Sequence, residues 1–318
     1  MRLSAMLQFP DWLVSYLTGN FPFSPELQAF WMAFQGALVV RAGANRDKSM
    51  HWFHAFMLSV VSGYGGAAFT PLWMGLPTSM LSNDLNLASC IIAFIIANYM
   101  PFDIGFKLGN TLPVTIVTTT FAQLFRSLGV VKFTTVAFHA FKDSPSAYYP
   151  VPVFGPIAYG TLLGNMSGFF VKGFNGYLEN GMPWPFQNGL FCCTFYHFFV
   201  HDKTGPIGSA LRSAIHSLPF LKGGLEDDIF AIVVVGVFMQ VVGLLQLSQF
   251  LGPGVSPFNA LFALPGRLFQ RLPMAATGAA TADKVKEPSG AAVGQAVRVT
   301  VTVDGQKKKR RRNKKKEL

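Results

Sequence analysis

The stretch FFVKGFNGYL, residues 169–178, combines features that soluble helices and ordinary membrane helices both avoid. It places Lys172 inside a long apolar run and follows it with Gly173, Asn175 and Gly176. A cation at the middle of a membrane helix costs roughly 2.5–3.5 kcal/mol on insertion scales, and glycine weakens a helix. The pattern indicates either a helix that lines a polar cavity or a lysine that extends to the membrane surface. Because Lys172 lies well inside the run, a cavity is the favoured interpretation.

The composition of the whole chain is typical of a membrane protein. Hydrophobic residues make up 51% of the 318 residues and charged residues only 13%, whereas a soluble domain has about 25% charged residues. The mean hydropathy is +0.36. The net charge of +11 is concentrated in the tail, where twelve lysines and arginines accompany four acidic residues from Pro273 onward. The three cysteines lie in apolar runs, which indicates buried side chains rather than disulfides or a metal site.

Seven apolar stretches are candidates for crossing a hydrocarbon core about 30 Å thick, which needs roughly 20 residues. They lie at 25–42, 50–74, 85–103, 111–131, 154–178, 187–201 and 228–251. The sequence therefore predicts an all-α membrane protein with a seven-helix domain at 25–272. Residues 1–24 are predicted to lie at the membrane interface, with no removable signal peptide. The tail at 273–318 is predicted to be disordered and to contact membrane lipids rather than nucleic acid.

The seven spans divide into two triplets, 25–103 and 111–201, followed by a seventh helix at 228–251. The middle span of each triplet carries a glycine cluster, and the residues are Gly63, Gly65 and Gly66 in the second span and Gly173 and Gly176 in the fifth. Matching glycine interruptions in two halves point to a permeation or binding path in a protein built from inverted repeats. Glycine also allows membrane helices to pack closely, and the sequence alone leaves both interpretations open.

Other polar residues in the spans carry weaker signals. Arg126 is a second cation, near enough to the end of the fourth span to extend to the surface. Asp103 and Lys107 lie one helical turn apart and are predicted to pair. His197 and His201 have the helical spacing of metal ligands, but no third ligand is evident, so no metal site is predicted. No phosphate-binding loop, nucleophile elbow or metalloprotease helix is present, so an enzyme is not predicted.

Four short motifs, taken together, resemble those of the trimeric intracellular cation channel (TRIC) family. They are PFD followed by a lysine at 101–107, LPV at 112–114, VKG with a further glycine at 171–176, and SPFNAL at 256–261. In order and spacing the resemblance covers about residues 25–265. It implies a homotrimer with one pore per protomer, lined by glycine-bent second and fifth helices. Such a pore passes K⁺ as counter-ion for Ca²⁺ release from the endoplasmic or sarcoplasmic reticulum.

The same resemblance implies roles for two cations. Lys172 corresponds to the family's basic residue in the fifth span, and Arg126 corresponds to its arginine in the fourth. In the family, a lysine four residues before that arginine helps to bind a phosphoinositide headgroup and bears on gating. That position is Ala122 here, and Gln123 replaces a glutamate. The resemblance thus implies a lipid site at Arg126 and Lys172 with one cation fewer, and Asn175 stands where the family commonly has glycine.

The C-terminal sequence indicates a location. Lys315 and Lys316, followed by two final residues, resemble the dilysine signal that returns membrane proteins to the endoplasmic reticulum. That signal acts only in the cytosol, and the excess of lysine and arginine in the first loop and the tail also places the C-terminus there.

The leading hypothesis is therefore a K⁺ channel of the endoplasmic reticulum membrane. Lys172 and Arg126 would set the field in its pore, and the two glycine clusters with Asn175 would shape it. A secondary transporter with inverted repeats is the first alternative, and it would need a coupling carboxylate at depth that the sequence does not place convincingly. A non-conducting scaffold that binds lipid is the second. No cofactor is predicted apart from a bound phosphoinositide or other lipid.

Overall fold

In the computed structural model of the protein, every regular element is a helix within the part of the chain that the structure describes. The described residues are 9–143, 148–178, 182–218, 224–247 and 250, without the side chains of residues 174 and 177. The helices are α1 (Asp11–Leu17), α2 (Ser24–Ala42), α3 (Trp52–Trp73), α4 (Ser79–Ser82), α5 (Asp84–Tyr99), α6 (Ile104–Gly109), α7 (Leu112–Phe141), α8 (Phe154–Leu163), α9 (Met166–Leu178), α10 (Trp184–Tyr196), α11 (Pro206–His216) and α12 (Asp227–Leu245). The tail at 273–318, the SPFNAL motif, Lys315 and Lys316 lie outside the described residues.

Local sequence sets where several helices begin. Proline occupies the first or second position of α2, α7, α10 and α11, where its missing N–H breaks no intrahelical hydrogen bond. Asn83 caps α5, because its Oδ1 accepts a hydrogen bond from the backbone N–H of Leu85 at 3.0 Å. A short turn over Pro101–Asp103 separates α5 from α6, and a π-helical turn over His197–His201 extends α10.

The helices form two halves, each packed around its own core. In the first half α2 contacts both α3 and α5, and in the second half α7 contacts both α8 and α10. The halves meet where α2 packs on α7 and where α3 packs on α8 and α9. The core of the first half includes Met32, Phe34, Tyr64, Cys90, Ala93 and Ala122, and that of the second includes Val130, Ile157, Cys192, Phe199, Phe230 and Val235. Helix α12 packs against α7 and α10.

Helices occupy all seven positions at which the sequence predicts spans. Of the described helices, α3, α7 and α12 are long and apolar enough to cross a membrane. Helices α5 and α6 would supply a fourth span, although they are bent by 93° relative to each other. The remaining predicted spans are formed by shorter or less apolar helices, such as α8 with ten residues. The count of seven spans and the inverted repeat therefore stay predictions.

The end of the third predicted span differs from the expectation. Phe102 and Asp103 both have φ near +56°, and the chain turns sharply before α6. Because of this turn, the Asp103 carboxylate faces the end of α2, where it pairs with Lys48 at 2.5 Å and with Arg41 at 3.6 Å. The predicted direct pair between Asp103 and Lys107 is therefore not formed, because the left-handed backbone of Asp103 turns its carboxylate toward Lys48 and Arg41.

The segment before the first predicted span is a packed part of the bundle. Helix α1 contacts α12, and Leu17 is buried against Gly236. The Tyr16 hydroxyl accepts a hydrogen bond from Gln240 Nε2 at 3.0 Å. The predicted placement of residues 1–24 at a membrane interface stays a prediction, but α1 is held by α12.

Candidate functional site

A cavity of about 240 Å³ lies where the two halves of the bundle meet. Its walls come from α2, α3, α7, α8, α9 and the start of α10. The lining residues include Met32, Gln35, Val39, Ser62, Gly63, Gly66, Ala67, Phe125, Arg126, Leu163, Gly164, Ser167, Gly168, Val171, Lys172 and Pro185. The two cations that the sequence singles out, Arg126 and Lys172, thus share one cavity although they lie on different helices.

The glycine cluster of the second predicted span does not interrupt its helix. Helix α3 runs without a break from Trp52 to Trp73, so the helix interruption predicted at Gly63, Gly65 and Gly66 is not formed, while a bend of the continuous helix there stays a prediction. The physical reason is that these glycines remove side chains from a helix crossing. A Cβ added to Gly66 would lie 1.4 Å from the carbonyl oxygen of Leu163. The cluster therefore brings α3 against the backbone of the second half, which is the packing interpretation of glycine.

The same close approach occurs on both sides of α3. A Cβ on Gly65 would lie 2.8 Å from the Cα of Ser167, and one on Gly63 would lie 3.0 Å from the carbonyl oxygen of Met32. Between them, the Tyr64 hydroxyl donates to the carbonyl oxygen of Ala29 at 2.7 Å. Helix α3 is thereby fixed between α2 and α9, and two of its glycines form part of the cavity wall.

The break predicted in the fifth span is confirmed at Gly173. Its backbone has φ +72° and ψ 164°, a conformation open almost only to glycine, and it interrupts α9 one residue after Lys172. The same predicted span is also divided between Leu163 and Met166, where α8 ends and α9 begins. Residues Gly173, Asn175 and Gly176 are exposed and do not line the cavity.

Replacing Gly173 with alanine is expected to lower stability by about 1–3 kcal/mol, because a Cβ strains the backbone at this φ and ψ although nothing lies within 4 Å of it. The measurement is the thermal unfolding midpoint of the purified protein in detergent. Gly176→Ala is the matched control, since its backbone has ordinary torsions and its nearest neighbour would be Lys172 Cβ at 3.9 Å. Equal midpoints for the two variants would contradict the break described here.

The two cations occupy different depths of the cavity. Lys172 is exposed, whereas Arg126 is half-buried. Arg126 donates from Nη1 to the side-chain oxygen of Gln123 at 3.2 Å, and its guanidinium lies beside Gly164. Ala122 is fully buried in the core of the first half, so it contributes neither charge nor a polar group to the cavity. The two cations that line the cavity are therefore supplied by α7 and α9.

Several lining residues were not predicted from the sequence. Gln35, Ser62 and Ser167 place polar side chains on the cavity wall, and Gly164 and Gly168 line it at the end of α8 and in α9. Single uncharged polar residues inside apolar runs give no signal of their own, unlike the charged Lys172.

The histidine pair lies in a separate region near the π-helical turn. His201 shares a hydrogen bond with Thr135 Oγ1 at 3.1 Å and stacks on Phe138, with ring centroids 4.4 Å apart. His197 is fully buried beside it. No group of three or more His, Cys, Asp or Glu residues suited to a metal ion occurs among the described residues.

Comparison with known proteins shows a similarity to one family. The family model of the TRIC channel matches residues 41–180, which contain α3 to α9 and every residue predicted to shape the pore. This part of the chain is similar to the TRIC channel family. The matching model describes a family of channels and not of enzymes. No curated protein sequence is significantly similar to the chain.

Two solved structures are similar to the protein. A trimeric intracellular cation channel from C. elegans, solved in the absence of Ca²⁺, is 16% identical, with a TM-score of 0.54 over 74% of this chain and 96% of that one. The second is described as the structural basis for activity of TRIC counter-ion channels in calcium release. It is 16% identical, with a TM-score of 0.49 over 70% of this chain and 92% of that one. At this identity the first similarity concerns the fold.

Proposed function

We propose that the protein is a cation channel that conducts K⁺ through a path in each protomer between the two halves of the bundle. One observation carries the proposal: Arg126 on α7 and Lys172 on α9 line a single cavity whose other wall is the glycine face of α3. Broken or glycine-rich backbone at membrane depth is tolerated where it lines a cavity or is buried in protein. The similarity of residues 41–180 to the TRIC channel family also supports a channel function.

A positive charge beside a cation path needs a physical explanation. Cations in a narrow path are repelled by a nearby lysine unless water, carbonyl oxygens or an anionic headgroup offset the charge. Lys172 is exposed, so solvent weakens its field while Arg126 lies deeper. We infer that Lys172 limits cation entry at the exposed side of the cavity and that Arg126 sets the field within it. An anionic phosphoinositide headgroup that contacts both cations would reduce this barrier.

The arrangement of helices supports a role for the two halves as inverted repeats. The contacts of α2 with α3 and α5 have counterparts in those of α7 with α8 and α10. The two middle segments, α3 and α8–α9, then face each other across the cavity. Paired segments at a repeat interface are where inverted-repeat membrane proteins place their path.

The assembly and location are part of the proposal. The similar C. elegans structure is of a trimeric channel, and we propose that this protein forms a homotrimer with three separate paths. We also propose that it resides in the endoplasmic reticulum membrane with a cytosolic C-terminus, where K⁺ flux would balance the charge of Ca²⁺ release. Lys315 and Lys316 would then serve as the retrieval signal.

The test is single-channel recording of purified protein in planar bilayers under a KCl gradient, with wild type and Lys172→Glu compared. Wild type is expected to give a K⁺-selective reversal potential. The variant is expected to raise unit K⁺ conductance severalfold, since it reverses the sign of a charge that repels cations at the exposed side of the cavity, where solvent weakens its field. Lys142→Glu, an exposed lysine just after α7, should leave conductance unchanged.

Two outcomes would contradict the proposal. Equal conductance and open probability in wild type and Lys172→Glu would remove Lys172 from the path. A silent bilayer, from protein shown to be folded and monodisperse, would favour the secondary transporter or the non-conducting scaffold instead.

A further inference from the structure

Helix α12 contacts α7 at two successive turns. Gln240 donates from Nε2 to the carbonyl oxygen of Thr120 at 2.8 Å. One turn later, Gly243 lies against the side chain of Gln123, and a Cβ added to Gly243 would lie 2.5 Å from Gln123 Cγ. This Gln123 side chain is almost completely buried, with 4% exposure. It therefore rests directly on the backbone surface that the glycine leaves open.

The side chain that α12 holds is the one that binds Arg126. The Gln123 side-chain oxygen accepts a hydrogen bond from Arg126 Nη1 at 3.2 Å. On its other side, the guanidinium lies beside Gly164, where a Cβ would be 3.5 Å from Nη2 and 3.8 Å from Nε. The arginine is thus flanked by an amide oxygen from α7 and by the start of the break between α8 and α9.

A hydrogen bond from an ionised donor is stronger than one between neutral groups, and it directs a flexible side chain to one position. Gln123 can hold the Arg126 side chain in one position only while the Gln123 amide is itself fixed. Its burial under α12 removes the alternative rotamers that an exposed glutamine would populate. The contacts therefore connect α12 to the cavity through one intermediate side chain.

We propose that α12, through Gly243 and Gln123, positions the Arg126 guanidinium in the cavity between the two halves. Gln123 and Gly243 are positioning residues in this scheme, because neither is needed to line the path itself. The functional consequence rests on the proposed channel function, while the structural step stands without it. Since α12 lies beyond residues 41–180, the positioning element is outside the region that matches the TRIC family model.

The first test measures the position of Arg126 without ion conduction. The purified full-length protein is treated with phenylglyoxal, which modifies arginine, and modification at Arg126 is followed by mass spectrometry of the peptide. Gly243→Ala and Gln123→Met are expected to raise the rate severalfold, since the first displaces Gln123 and the second removes its oxygen at similar volume. Gln123→Glu retains an oxygen acceptor and should restore a slow rate.

Gly236→Ala is the matched control for the glycine substitution. It makes the same change on the same helix, but its Cβ would meet Leu17 Cδ2 at 2.9 Å and not Gln123. Its modification rate at Arg126 should stay within about twofold of wild type. If Gly243→Ala fails to fold, Gln123→Met decides the result, and unchanged rates in the folded variants would overturn the proposal.

The second test measures whether this positioning matters for conduction. Gln123→Met is expected to change the unit K⁺ conductance in the wild-type background and to have no further effect when Arg126→Met is also present, because coupled residues are not additive. Additive effects would show that Gln123 acts on the channel by general packing and would overturn the functional step. A silent wild type with altered phenylglyoxal rates would contradict the channel function and leave the positioning step supported.

Discussion

Replacing Gly66 with valine is expected to prevent the bundle from folding, with a loss of stability above about 4 kcal/mol. A Cβ at this position would lie 1.4 Å from the Leu163 carbonyl oxygen and 2.4 Å from its carbonyl carbon. These are backbone atoms at the end of α8, so the overlap can be relieved only by separating the two halves. The measurement is the yield of monodisperse protein in detergent, together with its thermal unfolding midpoint.

Gly176→Val is the control for this substitution. It adds the same side chain to an exposed position, where the nearest neighbour of a Cβ would be Lys172 Cβ at 3.9 Å. This variant should be recovered in nearly wild-type yield. Normal recovery of Gly66→Val would mean that α3 does not pack on the backbone of α8 in the protein.

Replacing Asp202 with asparagine is expected to cost about 3 kcal/mol, because a fully buried carboxylate there accepts three hydrogen bonds. Its Oδ1 accepts from the backbone N–H of Gly205 at 2.8 Å, and its Oδ2 accepts from the Tyr149 hydroxyl at 2.6 Å and from the N–H of Gly208 at 2.9 Å. An amide keeps one oxygen and turns an NH₂ group toward the remaining donors. The thermal unfolding midpoint is the measurement.

The helix that is destabilised first provides a second measurement for Asp202→Asn. The carboxylate joins the start of α11 to the segment before α8, and the same Tyr149 hydroxyl accepts from the N–H of Ile207 at 3.3 Å. Burial and the neighbouring carboxylate both raise the pKa of Tyr149, which keeps it a donor. Amide hydrogen exchange should therefore accelerate first in α11. Asp143→Asn, at an exposed position, should change neither quantity, and unaltered exchange in α11 would contradict this role of Asp202.

The sequence marks Gly66 and Asp202, the sites of the two largest predicted effects, to different degrees. The glycine cluster around Gly66 is evident, but its consequence is not, because a missing Cβ permits either a broken helix or a close crossing. Only the position of Leu163 shows that the crossing occurs here. Asp202 has no pattern that marks it, since its three donors come from a neighbouring turn and from a tyrosine 53 residues earlier.

The sequence by itself determined the helical class, the positions of the seven main helical segments and the break at Gly173. These follow from local properties: the length of apolar runs, proline at helix starts, and a glycine beside a lysine where L-residues resist the required backbone. The resemblance to TRIC channels likewise rests on short motifs, and the family model matches within the same region.

Tertiary structure alone decided which residues meet. Arg126 and Lys172 lie 46 positions apart and share a cavity because α3 brings the halves together along its glycine face. The turn at Phe102 and Asp103 directs the Asp103 carboxylate to Arg41 and Lys48. Helix α12 covers Gln123, although the two lie more than a hundred residues apart in the sequence. Such contacts depend on how helices cross in space, and helix crossing is set by the combined shape of two surfaces, which no single stretch of sequence contains.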